Sequence, residues 1–147
     1  MERDTKKLLT SLNLLYKEMD EIYHNYAKRS GISNTALWIM YSICEKEEPS
    51  TQRELAAEWH YPPQTVNSVL KSFEKDGYIM LVPVPGNQKS KAVVLTEKGR
   101  AFAERVVYPM MLAEERALGA LTEKEQKAFL SIVEKYVDIL KAEISRI

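Results

Sequence analysis

Of the residues that build cross-links and metal sites, this chain of 147 has very few: one cysteine, Cys44, and two histidines, His24 and His60. A single thiol excludes an intrachain disulfide framework, and histidines set so far apart offer no ligand spacing for a metal ion. Cys44 lies in the apolar run LWIMYSIC and reads as a buried small hydrophobe. No apolar run approaches the roughly 20 residues that a membrane span needs. The N-terminal stretch MERDTKKLLTSLNLLYKEMDEIY interleaves charges with leucines where a signal peptide would be continuously apolar, so a cytoplasmic protein with no membrane partner is expected. With 5 glycines, none forming a phosphate-cradling loop, and with no nucleophile elbow or His–carboxylate arrangement, the sequence predicts neither an enzyme nor a cofactor. Net charge is missing too: 21 basic residues balance 21 acidic ones, and residues 50–99 hold six basic against five acidic. Charge alone does not point to a nucleic acid.

What the chain does have is hydrophobic periodicity. Its length suits one domain with a substantial core. From about Asp4 to Arg29, Leu8, Leu12, Leu15, Met19, Ile22 and Tyr26 alternate spacings of four and three, a heptad seam, and Leu9, Tyr16 and Tyr23 widen it. Gly31 is placed to end this helix, and Ser33 to cap a second that carries Leu37, Met40, Tyr41 and Cys44. After EKEEPS, Thr51 and Glu54 have the spacing of a capping box and open a short helix that HYPP must stop. Pro63 suits the first position of the next helix, PQTVNSVLKSFEKDG, which Gly77 ends. YIMLVPV and KAVVLT read as strands, Met80 to Val84 and Ala92 to Leu95, flanking a tip from Pro85 to Lys91. Thr96 caps a helix that Pro109 should kink or interrupt before it closes at Gly119. Thr122 and Glu125 form a second capping box, opening a last helix with the stripe Phe129, Val133, Tyr136, Leu140 and Ile144.

Two short helices separated by a tight turn make a helix-turn-helix pattern. In the second, Val66, Val69, Leu70 and Phe73 form the buried face, while Gln64, Asn67, Ser68 and Lys71 point the other way, flanked by Pro63, Thr65 and Ser72. Amides pair bidentately with adenine, lysine with guanine or phosphate, and hydroxyls with either kind of partner. These residue types on one outward face suit base reading in a major groove. The absence of arginine there predicts modest guanine readout. A hairpin directly after such a helix makes a winged helix, whose tip would approach the backbone through Lys89 and Lys91.

The order TQRELA, then TVNSVLKSFEKDGYI, then a hairpin ending in VVLTEKG resembles the winged-helix core of the MarR family of bacterial transcriptional regulators. The resemblance spans essentially the whole chain, and EKDGYI and LTEKG are its most specific pieces. It implies a mainly α fold with a small antiparallel β-hairpin, in which a winged helix-turn-helix core is flanked by N- and C-terminal dimerisation helices. On that reading 1–147 is a single domain, with a DNA-binding lobe at 33–99 and a helical dimerisation lobe from 1–31 and 100–147. The implied partners are a pseudo-palindromic double-stranded DNA operator, a second copy of the chain, and a small-molecule effector that releases the DNA. For that effector Trp38, Tyr41, Tyr108 and Met111, with Met110 beside them, are the candidate lining residues. One departure from the family is plain. Wings of the family carry an acidic residue and an arginine, whereas PGNQKS offers only lysines, which act as point charges and lack arginine's planar fork. The wing is therefore expected to add affinity more than specificity. The alternative weighed against DNA binding is a winged-helix module used for protein contacts.

Overall fold

The computed structural model describes residues 2–147, with the side chains of residues 2, 3 and 88 left out of the description. The elements run α1 (Glu2–Arg29), α2 (Asn34–Glu45), α3 (Gln52–Trp59), α4 (Pro63–Lys75), β1 (Ile79–Val84), β2 (Asn87–Leu95), α5 (Glu97–Phe102), a π-helical turn (Ala103–Val107), α6 (Tyr108–Gly119) and α7 (Glu123–Ile144). The mainly helical architecture with one antiparallel hairpin is the one the sequence leads one to expect. The chain divides into two compact units, the first ending at Val107 and the second Tyr108–Ile147.

The first unit has the core. Leu37, Ile39 and Met40 of α2, Leu55 of α3, Val66, Leu70 and Phe73 of α4, and Ile79 and Val93 of the hairpin are all buried, as are Phe102 and Val106. Local chemistry sets the element boundaries. Gly31 and Gly77 adopt φ of 81° and 80°, and each closes a Schellman motif: Ile32 N–H donates to the Ala27 carbonyl and Tyr78 N–H to the Phe73 carbonyl. Ser33 accepts from the Ala36 amide, and Thr96 from the Gly99 amide. The Thr51 box is only half formed. Its hydroxyl accepts from the Glu54 amide, but among the described residues Glu54 makes no return bond; residues 50 and 51 run along β2, Thr51 bridging Ala92 and the Ser50 carbonyl accepting from Val93 N–H. Between α3 and α4, His60 takes a left-handed conformation, φ 53°, which the HYPP stretch had not signalled.

The sequence had suggested shorter strands and a longer tip. Instead β2 begins at Asn87, and the connection shrinks to Pro85 and Gly86, with Gly86 at φ 80° in the position a type II turn reserves for glycine. A type II turn does not match the twist of paired strands. The register adjusts at once: Val84 faces Asn87 while Pro83 faces Lys91, leaving residues 88–90 as a bulge on β2. Asn87 holds the bulge, its Oδ1 accepting from the Lys89 amide and its Nδ2 donating to the Ser90 hydroxyl.

At its other end the hairpin is locked to α4. Thr96 N–H donates to the Tyr78 carbonyl, the Thr96 hydroxyl donates to the Gly77 carbonyl, and Lys98 Nζ donates to the Asp76 carbonyl at 2.7 Å. Gly99 is buried so tightly here that a Cβ would lie 1.9 Å from the Tyr78 oxygen. EKDGYI and LTEKG, far apart in sequence, are the two halves of one joint.

Pro109 interrupts as expected, with the π turn just upstream where its missing N–H and ring disturb the regular ladder. In the second unit, Thr122 and Glu125 complete their capping box in both directions, and the Thr122 amide bond holds the Glu125 carboxyl below its ordinary value. No residue of α7 is buried; Phe129, Leu140 and Ile144 of its stripe are exposed, and Val133 and Tyr136 are half-buried. In the first unit the α1 seam is open as well, Leu8 at 70% and Ile22 at 62% exposure.

Candidate nucleic-acid interface

Helix α4 starts without a side-chain cap, on Pro63, whose absent N–H would have had no partner in a first turn. Its buried stripe of Val66, Leu70 and Phe73 fixes its rotation, so the residues displaced around the axis must face outward. Pro63, Gln64, Ser68 and Lys71 are exposed, and Thr65 and Asn67 are half-buried beside them. Four of the six candidate positions of this helix are therefore exposed, with Thr65 and Asn67 bordering them. The Ser68 hydroxyl donates to the Gln64 carbonyl at 3.0 Å, so what it presents outward is an acceptor, suited to an exocyclic amine of a base.

Beside this helix stands the hairpin, with Lys89 and Lys91 both exposed. They are not equivalent. Lys89 lies in the bulge that Asn87 organises, whereas Lys91 belongs to the ladder opposite Pro83. Only Lys89 is thus carried on the tip; Lys91 flanks it from the strand. Among the described residues no group of His, Cys, Asp and Glu could hold a metal ion.

Trp38 and Tyr41 belong to a ring cluster that the sequence did not reveal in full. Tyr23 of α1 lies 4.7 Å from Trp38 between centroids, Tyr41 lies 5.3 Å from it, and Trp59 at the end of α3 completes the group at 5.1 Å. Trp59 was missed because it reads as the last residue of a short helix. Its indole N–H is buried with no acceptor among the described residues. Tyr108 and Met111 lie in the second unit. A separate cleft of about 350 Å³ runs between the α1–α2 turn and α4, touching Ser33, Ser68, Ser72 and Phe73 but none of the four candidate effector residues. Burial pushes the Cys44 thiol up to about 12, so it stays protonated at neutral pH.

Comparison with known proteins bears directly on this arrangement. Residues 30–90, from the start of α2 through the wing tip, match the model of the MarR family. The HTH-type transcriptional repressor Rv2887 of Mycobacterium tuberculosis is 33% identical over 82 residues, 56% of this chain. The match spans 59% of that repressor's length, somewhat under two thirds. Among solved structures, the S. aureus MepR–DNA complex superposes with a TM-score of 0.70 at 17% identity, over 89% of this chain and 96% of that one. Staphylococcus aureus MarR in complex with salicylate and kanamycin gives 0.71 at 16% identity, over 95% and 93%. At such identities the superpositions speak for the fold alone; what the family model and the related repressor match is the winged-helix part of this chain.

Proposed function

We propose that this chain is a sequence-specific, double-stranded-DNA-binding transcriptional repressor that works as a homodimer in the cytoplasm and is released from its operator by a small-molecule effector. The observation that carries the reading is the exposed side of α4, where Gln64, Thr65, Asn67, Ser68 and Lys71 follow Pro63 with the lysine-bearing hairpin beside them. Gln64 and Asn67 would read adenine edges, Ser68 would accept from a base amine, and Lys71, Lys89 and Lys91 would hold phosphates. That the related mycobacterial protein is a repressor, and that a protein of the same fold is seen on DNA, favours the same role here. The related repressor likewise favours a regulatory role over an enzymatic one.

Dimerisation follows from the apolar side chains of the flanking helices. Contiguous exposed apolar surface on this scale calls for a partner, and 1–31 with 100–147 would supply the interface while 33–99 binds DNA. A two-fold pair of reading helices would address half-sites about 10 bp apart on a pseudo-palindrome. For the effector, the ring cluster of Trp38 and Tyr41 with Trp59 offers flat apolar walls and one donor without an acceptor among the described residues, so a planar aromatic molecule bearing an acceptor group suits it. That a fold relative is seen with salicylate is in keeping with such a ligand.

The test is a gel-shift series across salt with duplexes selected from a random pool. Binding should weaken steeply as salt rises, through counterion release. Affinity indifferent to salt, or no selectable sequence, overturns the reading.

A further inference from the structure

We propose that Lys98 is a positioning residue for DNA recognition, tying the end of the reading helix to the foot of the wing so that both meet the duplex in one fixed geometry. The inference deepens the DNA-binding role proposed above and rests on it for its functional arm.

Two residues are misplaced by the rules of their own helices. Lys98 is the second residue of α5, where the helix macrodipole presents positive charge and a cation is unfavourable. Asp76 caps the C-terminus of α4, where the dipole presents negative charge and an acid is unfavourable. Local inconsistencies of this kind concentrate where a residue serves something other than its own element. The two positions meet through the backbone: Lys98 Nζ donates to the main-chain carbonyl of Asp76 at 2.7 Å and lies 5.1 Å from the centre of the Tyr78 ring. The cation meets the carbonyl end of α4 and stacks on the residue that follows Gly77.

The contact spans 22 positions of sequence, and the entire wing lies between its ends. Thr96 bonds the Tyr78 and Gly77 carbonyls, Val93 N–H donates to the Ser50 carbonyl, and Ile79 and Val93 are buried, so the foot of the hairpin is already anchored. Lys98, reaching past them to Asp76, adds a contact at the end of α4. That contact narrows the remaining spread in the spacing between the base-reading face and the wing lysines. With the ammonium directed at a carbonyl and a ring, its removal should leave the count of neutralised phosphates unchanged.

The experiment compares Lys98→Met, which keeps the aliphatic stem on Tyr78 and loses the charge, with Lys98→Arg, which keeps both donor and cation. On the selected operator the methionine variant should bind about tenfold more weakly, the scale of one lost charge-assisted bond. Its salt slope and its affinity for a random duplex should match the wild type, and arginine should restore most of the loss. A salt slope reduced by about one phosphate, an equal loss on random and operator DNA, or no loss at all overturns the proposal. A second measurement needs no DNA. Spin labels at Gln64→Cys and Lys89→Cys in a Cys44→Ala background, diluted into unlabelled chain, report the helix-to-wing distance. That distribution should broaden in Lys98→Met, and an equally narrow one sinks the positioning role even if the DNA-binding reading stands; failure of the wild type to select any duplex sinks only that reading.

Discussion

Replacing Gly99 by alanine pits two effects against each other with opposite signs. By propensity, alanine in the first turn of α5 should stabilise the helix by up to about 1 kcal/mol. Packing says otherwise, because the new Cβ would lie 1.9 Å from the Tyr78 carbonyl oxygen, 2.9 Å from its carbon and 3.2 Å from Leu95 Cδ2. The first two atoms are backbone, so no rotamer change relieves the clash. The Tyr78 peptide must move by more than an ångström, and that carbonyl is the acceptor for the Thr96 amide while its neighbour at Gly77 accepts the Thr96 hydroxyl. Overpacking costs roughly 1–3 kcal/mol, and two weakened hydrogen bonds add about 1 kcal/mol each. The sum, about 2–4 kcal/mol after the propensity gain, is a large part of the 5–15 kcal/mol typical of a domain. Urea unfolding followed by circular dichroism, at one fixed chain concentration, should show the midpoint falling steeply with the slope unchanged. A neutral or stabilised variant would mean that the joint is looser than its geometry, and the account of LTEKG would fail.

Three further outcomes follow from the same geometry. Asn67→Ala should relax base preference at one position of each half-site while leaving salt dependence alone; a selected motif identical to the wild type refutes a reading role for Asn67. Replacing Lys89 and Lys91 together by alanine should weaken binding to all sequences alike and flatten the salt slope by up to about two phosphates, with Lys89 responsible for more of the change than Lys91. An unaltered slope places the hairpin off the backbone. Cys44, its thiol raised from 9.0 to about 12, should carry roughly a thousandfold less thiolate than an unperturbed cysteine and resist alkylation until the protein is unfolded in urea; rapid labelling of the folded chain contradicts its burial.

Much of this architecture was legible in the sequence because its boundaries are set by residues with local mechanisms. Gly31 and Gly77 must end helices, Pro63 must begin one, and Ser33, Thr96 and Thr122 cap because their hydroxyls sit three residues before a free amide. The outward side of α4 was legible for the same reason, since a stripe of Val66, Leu70 and Phe73 leaves only one direction for Gln64 and Lys71. What escaped the sequence depends on contacts between distant segments. Glu54 has the right spacing for a capping box, yet residues 50 and 51 bridge to β2, a pairing no local pattern encodes. The shift of the wing register after Pro85 and Gly86 arises from a turn whose hand does not suit its strands, and Asn87 reads as an ordinary turn residue until its bonds across the bulge are seen. Trp59 joins Trp38 only after α3 folds back. Lys98 and Asp76 carried a faint signal, each being the wrong charge for its helix, but only the fold shows that the lysine reaches the backbone carbonyl at Asp76.

Both tryptophans of the chain, Trp38 and Trp59, stand 5.1 Å apart in a single cluster. The protein's indole emission and the tryptophan bands of its near-ultraviolet circular dichroism therefore originate at one place, with the two chromophores close enough to couple. That signal is blind to the wing and to α7, and it responds to anything that wedges the rings apart or fills the bond that Trp59 leaves unmade. Ordinary intrinsic fluorescence is thus a built-in titration of that one site, needing no label and no DNA.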